Sequence, residues 1–159
     1  MKIVIDTREQ LPLEFNHPFI TEVRRAKLEV GDYSCVFNDG FTPPFVFERK
    51  GIADLFGTLS KGYERFKKEI NRSIEEKVIL IIIIEGSLSK VLQGYDRSKR
   101  SGDEIVQQLF TLMLRHRVPH IFCRDRVEMA RWITEFYLAV GREHVRKCQL
   151  SGNITVNNS

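Results

Sequence analysis

The alternation of apolar and polar positions predicts strands in the first third of the chain and alternating helices and strands after it. Segments 2–5, 27–37 and 45–47 have the composition and length of strands, and the second is interrupted at Gly31-Asp32. Turn residues at 38–40 separate the last two segments, which predicts a β-hairpin between them.

Helical periodicity begins at residue 52. The predicted helices span 52–59, 63–74, 103–115 and 126–141, and the predicted strands between them span 78–84 and 119–123. Residues 78–84 are almost continuously apolar, and a strand of this kind is covered on both faces, usually by helices. The order of elements therefore predicts an α/β domain with a mixed central β-sheet flanked by helices.

Length and charge narrow the class of protein. The chain has 159 residues, of which 42% are apolar and 29% charged, so we expect one globular domain over 1–145 and a flexible polar tail over 146–159. Its formal net charge of +4 permits a polyanionic partner such as nucleic acid but does not require one.

The three cysteines and the length of the apolar runs indicate the cellular compartment of the protein. Cys35, Cys123 and Cys148 are far apart and form no CxxC, which argues against a zinc site or a disulfide framework and favours a reducing compartment. The longest apolar run is too short to cross a membrane, and the N-terminus turns polar too soon for a signal peptide. We expect an intracellular protein, in the cytoplasm of a prokaryote or virus-infected cell or in a nucleus, with no membrane partner.

Carboxylates lie at or beside the ends of the predicted strands: Asp6, Asp32, Glu48 and Asp54. The hairpin would bring Asp32 and Glu48 together, and converging carboxylates repel and favour a bound cation. Oxygen ligands suit Mg²⁺ or Mn²⁺. Lys50 points to the same side of its strand as Glu48, where it could act on a water or a phosphate. The alternative is a solvated edge strand, because such a pattern also arises by chance.

Taken together, the motifs are more specific than any one of them. Gly31-Asp32, then Glu48-Arg49-Lys50, then Asp54 after three residues resembles the GD…ERKxxxD signature of the XPF-type family of structure-specific DNA endonucleases. The resemblance is also carried by residues 4–9, 55–60, 63–66 and 78–85, and it extends over about residues 3–140.

This resemblance implies a restriction-endonuclease-like core that cleaves DNA with Mg²⁺ or Mn²⁺. It implies Asp32, Glu48 and the carbonyl of Arg49 as metal ligands, and Lys50 as the residue acting on the attacking water or the phosphate. The catalytic set also takes in Asp6, Arg49 and Asp54, with Glu9 supporting the acidic site. Candidate phosphate contacts are Arg8, Arg65, Arg97, Lys99 and Arg100; for the last three, ordinary solvated charge is an equal alternative.

Many relatives add a pair of helix-hairpin-helix motifs that grip duplex DNA, and this sequence shows no such repeat. Substrate shape therefore stays open between branched junction, flap and duplex, and the grip would come from the core, an accessory DNA-binding protein or a dimer. The last two helices would form a homodimer or heterodimer interface or merely cover the sheet. Two rival functions are a non-catalytic DNA-binding or scaffolding subunit and a nuclease acting on RNA or a replication intermediate.

Overall fold

Six strands and five helices make up the fold in a computed structural model, which describes residues 1–156 and the side chains of residues 1–150. The strands are β1 (Lys2–Asp6), β2 (Glu22–Ala26), β3 (Tyr33–Val36), β4 (Phe45–Gly51), β5 (Ile79–Glu85) and β6 (His120–Cys123). The helices are α1 (Ile52–Leu59), α2 (Tyr63–Glu75), α3 (Leu88–Leu92), α4 (Gly102–His116) and α5 (Arg126–Val156).

The strands form one mixed sheet in the order β2-β1-β3-β4-β5-β6. β3 pairs antiparallel with both β1 and β4, whereas β1 with β2, β4 with β5, and β5 with β6 are parallel. The β3–β4 pairing confirms the predicted hairpin, with Tyr33 opposite Phe47. The whole arrangement confirms the predicted mixed sheet.

Both faces of the sheet carry an apolar core. On β5, Leu80, Ile82 and Ile84 pack against α1, α2 and α4, and Ile81 and Ile83 pack against α5. This confirms the expectation that residues 78–84 form a strand covered on both sides. The same alternation on β4 turns Val46 toward the first core and Phe47 toward the second, so Glu48 and Lys50 emerge on the side of α1 and α2.

Several sequence predictions in the first half of the chain were wrong. Of the strand predicted over 27–37, only Tyr33–Val36 pairs in the sheet, and 27–32 is a loop that packs across the end of β1. β2 was missed because its residues carry no apolar alternation: it is an exposed edge strand held by pairing with β1. In the second half of the chain, the short helix α3 was also missed.

The last helix does not end at Gly141 as predicted but continues to Val156. Gly141 lies where α5 approaches the hairpin, and a Cβ there would come within 2.7 Å of Phe37 Cε1. The glycine therefore permits close packing rather than ending the helix. The flexibility predicted for 146–159 stays a prediction, and residues 157–159 lie outside the described part. No helix within that part is long and apolar enough to cross a membrane.

Gly102, the first residue of α4, gives a stability prediction. A Cβ at this position would overlap the carbonyl oxygen of Val91 and lie 2.6 Å from Leu92 Cα, and backbone atoms cannot swing away. We expect Gly102→Ala to lower the free energy of unfolding by about 3 kcal/mol. Gly57→Ala is the matched control: Gly57 is helical with open space around it, so alanine there should stabilise by about 0.5–1 kcal/mol. Urea unfolding followed by circular dichroism measures both, and equal stabilities would contradict the packing at Gly102.

Candidate active site

A cavity of about 360 Å³ opens between the sheet and helices α1 and α2. Asp32, Glu48 and Lys50 line it from the sheet side, and Thr58 and Glu69 line it from the helices. The structure thus brings together the three side chains for which the sequence predicted a metal site and its basic partner.

Asp32 is held by the two strands around it. Its N–H donates to the carbonyl of Phe47 at 2.7 Å, and its own carbonyl accepts from the N–H of Asp6 at 2.8 Å. Its carboxylate accepts from the N–H of Arg49 through Oδ2 at 2.8 Å. The preceding Gly31 has φ +72°, and a Cβ there would lie 3.0 Å from the Phe47 oxygen, so only glycine lets the turn approach β4 this closely.

Glu48 and Lys50 form a buried ion pair on one side of β4. Lys50 Nζ lies 2.7 Å from Glu48 Oε1, and the two side chains are 11% and 9% exposed. The same ammonium lies 3.4 Å from Oδ2 of Asp54, whose side chain is 58% exposed on α1. Lys50 is therefore held between a buried carboxylate and one at the surface.

Burial raises the pKa of Asp32 to about 6, although the hydrogen bond from the Arg49 N–H opposes the rise. Burial also raises the pKa of Glu48, the negative charge of Asp32 adds to it, and Lys50 only partly counteracts it. For Lys50, burial alone would lower the pKa, but Glu48 and Asp54 raise it overall. Two carboxylates that resist ionisation beside one ammonium form a site with affinity for a further positive charge.

The donor set fits a hard divalent cation. Oδ1 of Asp32 and Oε2 of Glu48 accept no hydrogen bond from the described residues. Within the same part of the chain, no three His, Cys, Asp or Glu side chains group closely enough to hold a metal. Two carboxylate oxygens, a backbone carbonyl and water suit Mg²⁺, which usually keeps several of its waters.

Four residues predicted in or beside the acidic site do not line the cavity: Asp6, Glu9, Arg49 and Asp54. The Asp6 side chain is 1% exposed and accepts from Arg8 Nε at 2.7 Å and from the N–H of Leu28 at 2.6 Å. Glu9 accepts from Arg49 Nε at 3.0 Å and Nη2 at 3.2 Å, on the other side of β4 from Lys50. Asp6 thus fixes the loop at Leu28 to the end of β1, whereas the Glu9–Arg49 pair joins the segment after β1 to β4. Only the backbone N–H of Arg49 reaches Asp32.

The cavity mouth carries positive charge. The exposed basic residues that line it are Arg8, Arg65, Lys68 and Arg72. Arg8 and Arg65 were predicted as DNA contacts, whereas Lys68, Glu69 and Arg72 were missed. Their position could have been predicted from the helical spacing, which places residues 65, 68, 69 and 72 on one face of α2.

The other predicted basic loop lies on the far flank of α1. Arg97 and Lys99 line a second cavity of about 720 Å³ whose wall includes the rings of Tyr63 and Tyr95. Arg100 is differently placed: its guanidinium donates to the carbonyl of Leu59 at 2.6 Å and also to Gln108 Oε1 and the Glu104 carbonyl. Arg100 therefore ties α4 to α1, while Arg97 and Lys99 keep exposed charge.

Comparison with known proteins gives a family and a fold. A family model described as the ERCC4 domain matches residues 5–136. XPF from Aeropyrum pernix is similar in structure, with a TM-score of 0.66 and 21% identity over 94% of this chain and 71% of that chain. XPF from Aeropyrum pernix in complex with DNA has a TM-score of 0.62 and 20% identity over 89% of this chain and 66% of that chain. No curated protein sequence matches the chain. The structural matches confirm the predicted restriction-endonuclease-like fold.

Proposed function

The chain belongs to the ERCC4 domain family, and from that premise we propose that it is a divalent-metal-dependent endonuclease that hydrolyses DNA phosphodiester bonds. The observation that carries the proposal is the cavity itself. Half-buried Asp32 and buried Glu48 converge there with Lys50, and exposed basic side chains surround the mouth. An acidic centre with a basic rim suits a phosphate group bound beside a cation.

Asp32, Glu48 and the carbonyl of Arg49 would hold Mg²⁺ or Mn²⁺. When bound, the cation supplies Lewis-acid stabilisation of the charge that develops on the phosphate. Lys50 keeps two of its three N–H bonds directed toward Glu48 and Asp54 and has one left for an attacking water or a phosphate oxygen. Asp54, at the surface end of this chain of charges, holds the ammonium toward the mouth.

The basic rim would guide DNA to the cavity. Arg65, Lys68 and Arg72 lie on the exposed face of α2 and would contact successive phosphates. The similar Aeropyrum pernix XPF was solved in complex with DNA, which supports a DNA substrate.

The second cavity favours a branched substrate. Tyrosine rings beside Arg97 and Lys99 offer stacking and phosphate contacts for unpaired nucleotides, which duplex DNA lacks. A nuclease of this kind would act inside the cell in repair, recombination or replication. A homodimer or heterodimer through α4 is consistent with the exposure of Phe110, Met113 and Leu114, and an accessory protein could add grip on DNA.

A cleavage assay over junction, flap, fork and duplex DNA, with an RNA hairpin included, tests the proposal. We expect cleavage of branched DNA with Mg²⁺ or Mn²⁺, none in EDTA, and a rate at least about a thousandfold lower for Asp32→Asn. Asp103→Asn, an exposed carboxylate on α4, is the control and should cleave normally.

Two results would overturn the proposal: no cleavage by the wild type, or equal cleavage by Asp32→Asn. Wild-type protein that binds branched DNA tightly and cuts nothing would indicate a scaffolding subunit instead. Preferred cleavage of the RNA hairpin would show that the substrate is RNA rather than DNA.

A further inference from the structure

Glu69 is a carboxylate on α2 that faces the cavity and that the proposed mechanism does not use. Its Oε1 accepts a hydrogen bond from the N–H of Gly31 at 3.2 Å. We infer that Glu69 is a positioning residue that fixes the Gly31-Asp32 turn and thereby orients Asp32 toward the cation. The inference rests on the proposed function, because it assigns Glu69 a role at that site.

The turn needs such a restraint on its helix side. Backbone hydrogen bonds anchor Asp32 to β4 and β1, but Gly31 has no side chain and a positive φ that glycine leaves as readily as it adopts. A change in φ at Gly31 would move the Asp32 carboxylate relative to Glu48. Glu69 holds the Val30–Gly31 peptide from α2 by accepting its N–H. Arg72, three residues further along α2, donates to the carbonyl of Glu29 in the same loop at 3.2 Å.

Glu69 acts through the turn rather than as a ligand. No three acidic, histidine or cysteine side chains of residues 1–150 group closely enough to bind one metal together. Its negative charge nevertheless adds to the rise that burial causes in the pKa values of both Asp32 and Glu48. The same charge attracts the Arg8 guanidinium, so it is favourable at the cavity mouth and unfavourable at the Gly31-Asp32 turn. What it contributes there is the acceptor for the Gly31 N–H.

Two isosteric variants separate the acceptor from the charge. Glu69→Gln keeps an oxygen for the Gly31 N–H, whereas Glu69→Met keeps the length and has no such acceptor. Titration calorimetry with Mn²⁺, without DNA, should show binding about tenfold weaker in Glu69→Met, the usual effect of losing a residue that orients a ligand. Glu69→Gln should stay within about twofold of the wild type.

Exchange of the Gly31 amide hydrogen, followed by NMR, reports on the contact directly. It should be faster in Glu69→Met and unchanged in Glu69→Gln. Glu64→Met is the matched control, since Glu64 lies on the same helix, is 79% exposed and pairs with Lys67 away from the cavity. Melting temperatures show whether each variant is folded.

The inference is overturned if Glu69→Met binds Mn²⁺ like the wild type, or if Glu69→Gln is as weak as Glu69→Met. The failure of the proposed function looks different: wild-type protein would bind no Mn²⁺ and cut no DNA, and the role of Glu69 toward the cation would fall with it. If the wild type binds Mn²⁺ and cleaves DNA, and Glu69→Met binds Mn²⁺ equally well, the inference about Glu69 is wrong and the proposed function stands.

Discussion

Replacement of Lys50 by methionine is expected to slow DNA cleavage about a thousandfold while the protein stays folded. Methionine fills the buried space of the lysine stem but has no ammonium. Glu48 then loses the ion pair at 2.7 Å, and its pKa, already raised by burial and by Asp32, rises further. A protonated Glu48 cannot ligate a cation. The variant therefore lacks both the ammonium and the bound cation that would stabilise the negative charge on the phosphate.

Lys50→Arg distinguishes these two losses. Arginine restores a positive charge beside Glu48, so Mn²⁺ binding should return close to the wild-type value. The rate should return only in part, because a planar guanidinium cannot occupy the position of a compact ammonium between Glu48 and Asp54.

Single-turnover cleavage and Mn²⁺ calorimetry between pH 6 and 9 provide the readouts. For Lys50→Met, the pH at which Mn²⁺ binding is half maximal should move upward, because Glu48 gives up its proton at a higher pH. A Lys50→Met rate within tenfold of the wild type would show that the ammonium does not act in the reaction.

The sequence predicted the centre of this site because local geometry fixes it. Side chains two residues apart on a strand point to the same side of the sheet, so Glu48 and Lys50 had to point the same way. Turn residues after β3 and before β4 made a hairpin the natural pairing, and Asp32 lies just before its first strand. These inferences need only the period of a strand and the chemistry of a turn.

The rest of the site depends on tertiary packing. Glu69, Lys68 and Arg72 face the cavity only because Phe66 and Ile70 pack into the core and so fix the rotation of α2 about its axis. The helical pattern shows which face of α2 is apolar, but how α2 docks on the sheet decides that its polar edge borders Asp32 and Glu48.

The sequence also did not show which ion-pair and hydrogen-bond partner each charged side chain has in the fold. Asp6 and Glu9 could have joined the acidic centre, but Arg8 and Arg49 pair with them away from the cavity. Arg100 looked like its neighbours in a basic loop, yet carbonyl groups of two helices take up its guanidinium. The contacts of Arg49 with Glu9 and of Arg100 with Leu59 join residues 40 and 41 positions apart, and the sequence without its fold gives no means of ranking such partners.

Asp32→Asn is expected to abolish cleavage and yet to stabilise the metal-free protein at pH 8, by on the order of 1 kcal/mol. Asparagine keeps an oxygen that can accept from the N–H of Arg49, so the anchor to β4 remains. What it removes is a half-buried negative charge beside Glu48. A site selected to attract a cation is under electrostatic strain without one, and neutralising one member relieves that strain.

The sign of the pH dependence follows from the raised pKa. The pKa of Asp32 is about 6 in the folded protein against an ordinary value of 3.8, so over that interval the folded state binds more protons than the unfolded state. Wild-type stability attributable to Asp32 is therefore present below about pH 4 and declines as pH rises toward 6. Urea unfolding in EDTA at pH 4, 5, 6 and 8 should measure this. The free energy of unfolding of Asp32→Asn relative to the wild type should increase from about pH 4 to pH 6 and stay constant at higher pH.

Asp6→Asn makes the same chemical change nearby and should have the opposite effect. Burial alone would raise the pKa of Asp6, but hydrogen bonds from Arg8 and Leu28 lower it overall, so its ionised form stabilises the fold. An amide at this position directs an NH₂ group toward one of these donors, and we expect a loss of about 2 kcal/mol at pH 8 that disappears as acid protonates Asp6 in the wild type. If both substitutions destabilised the protein equally, the charge of Asp32 would be as well compensated as that of Asp6. The cavity would then have no need of a cation, because its carboxylates would be balanced by the protein alone.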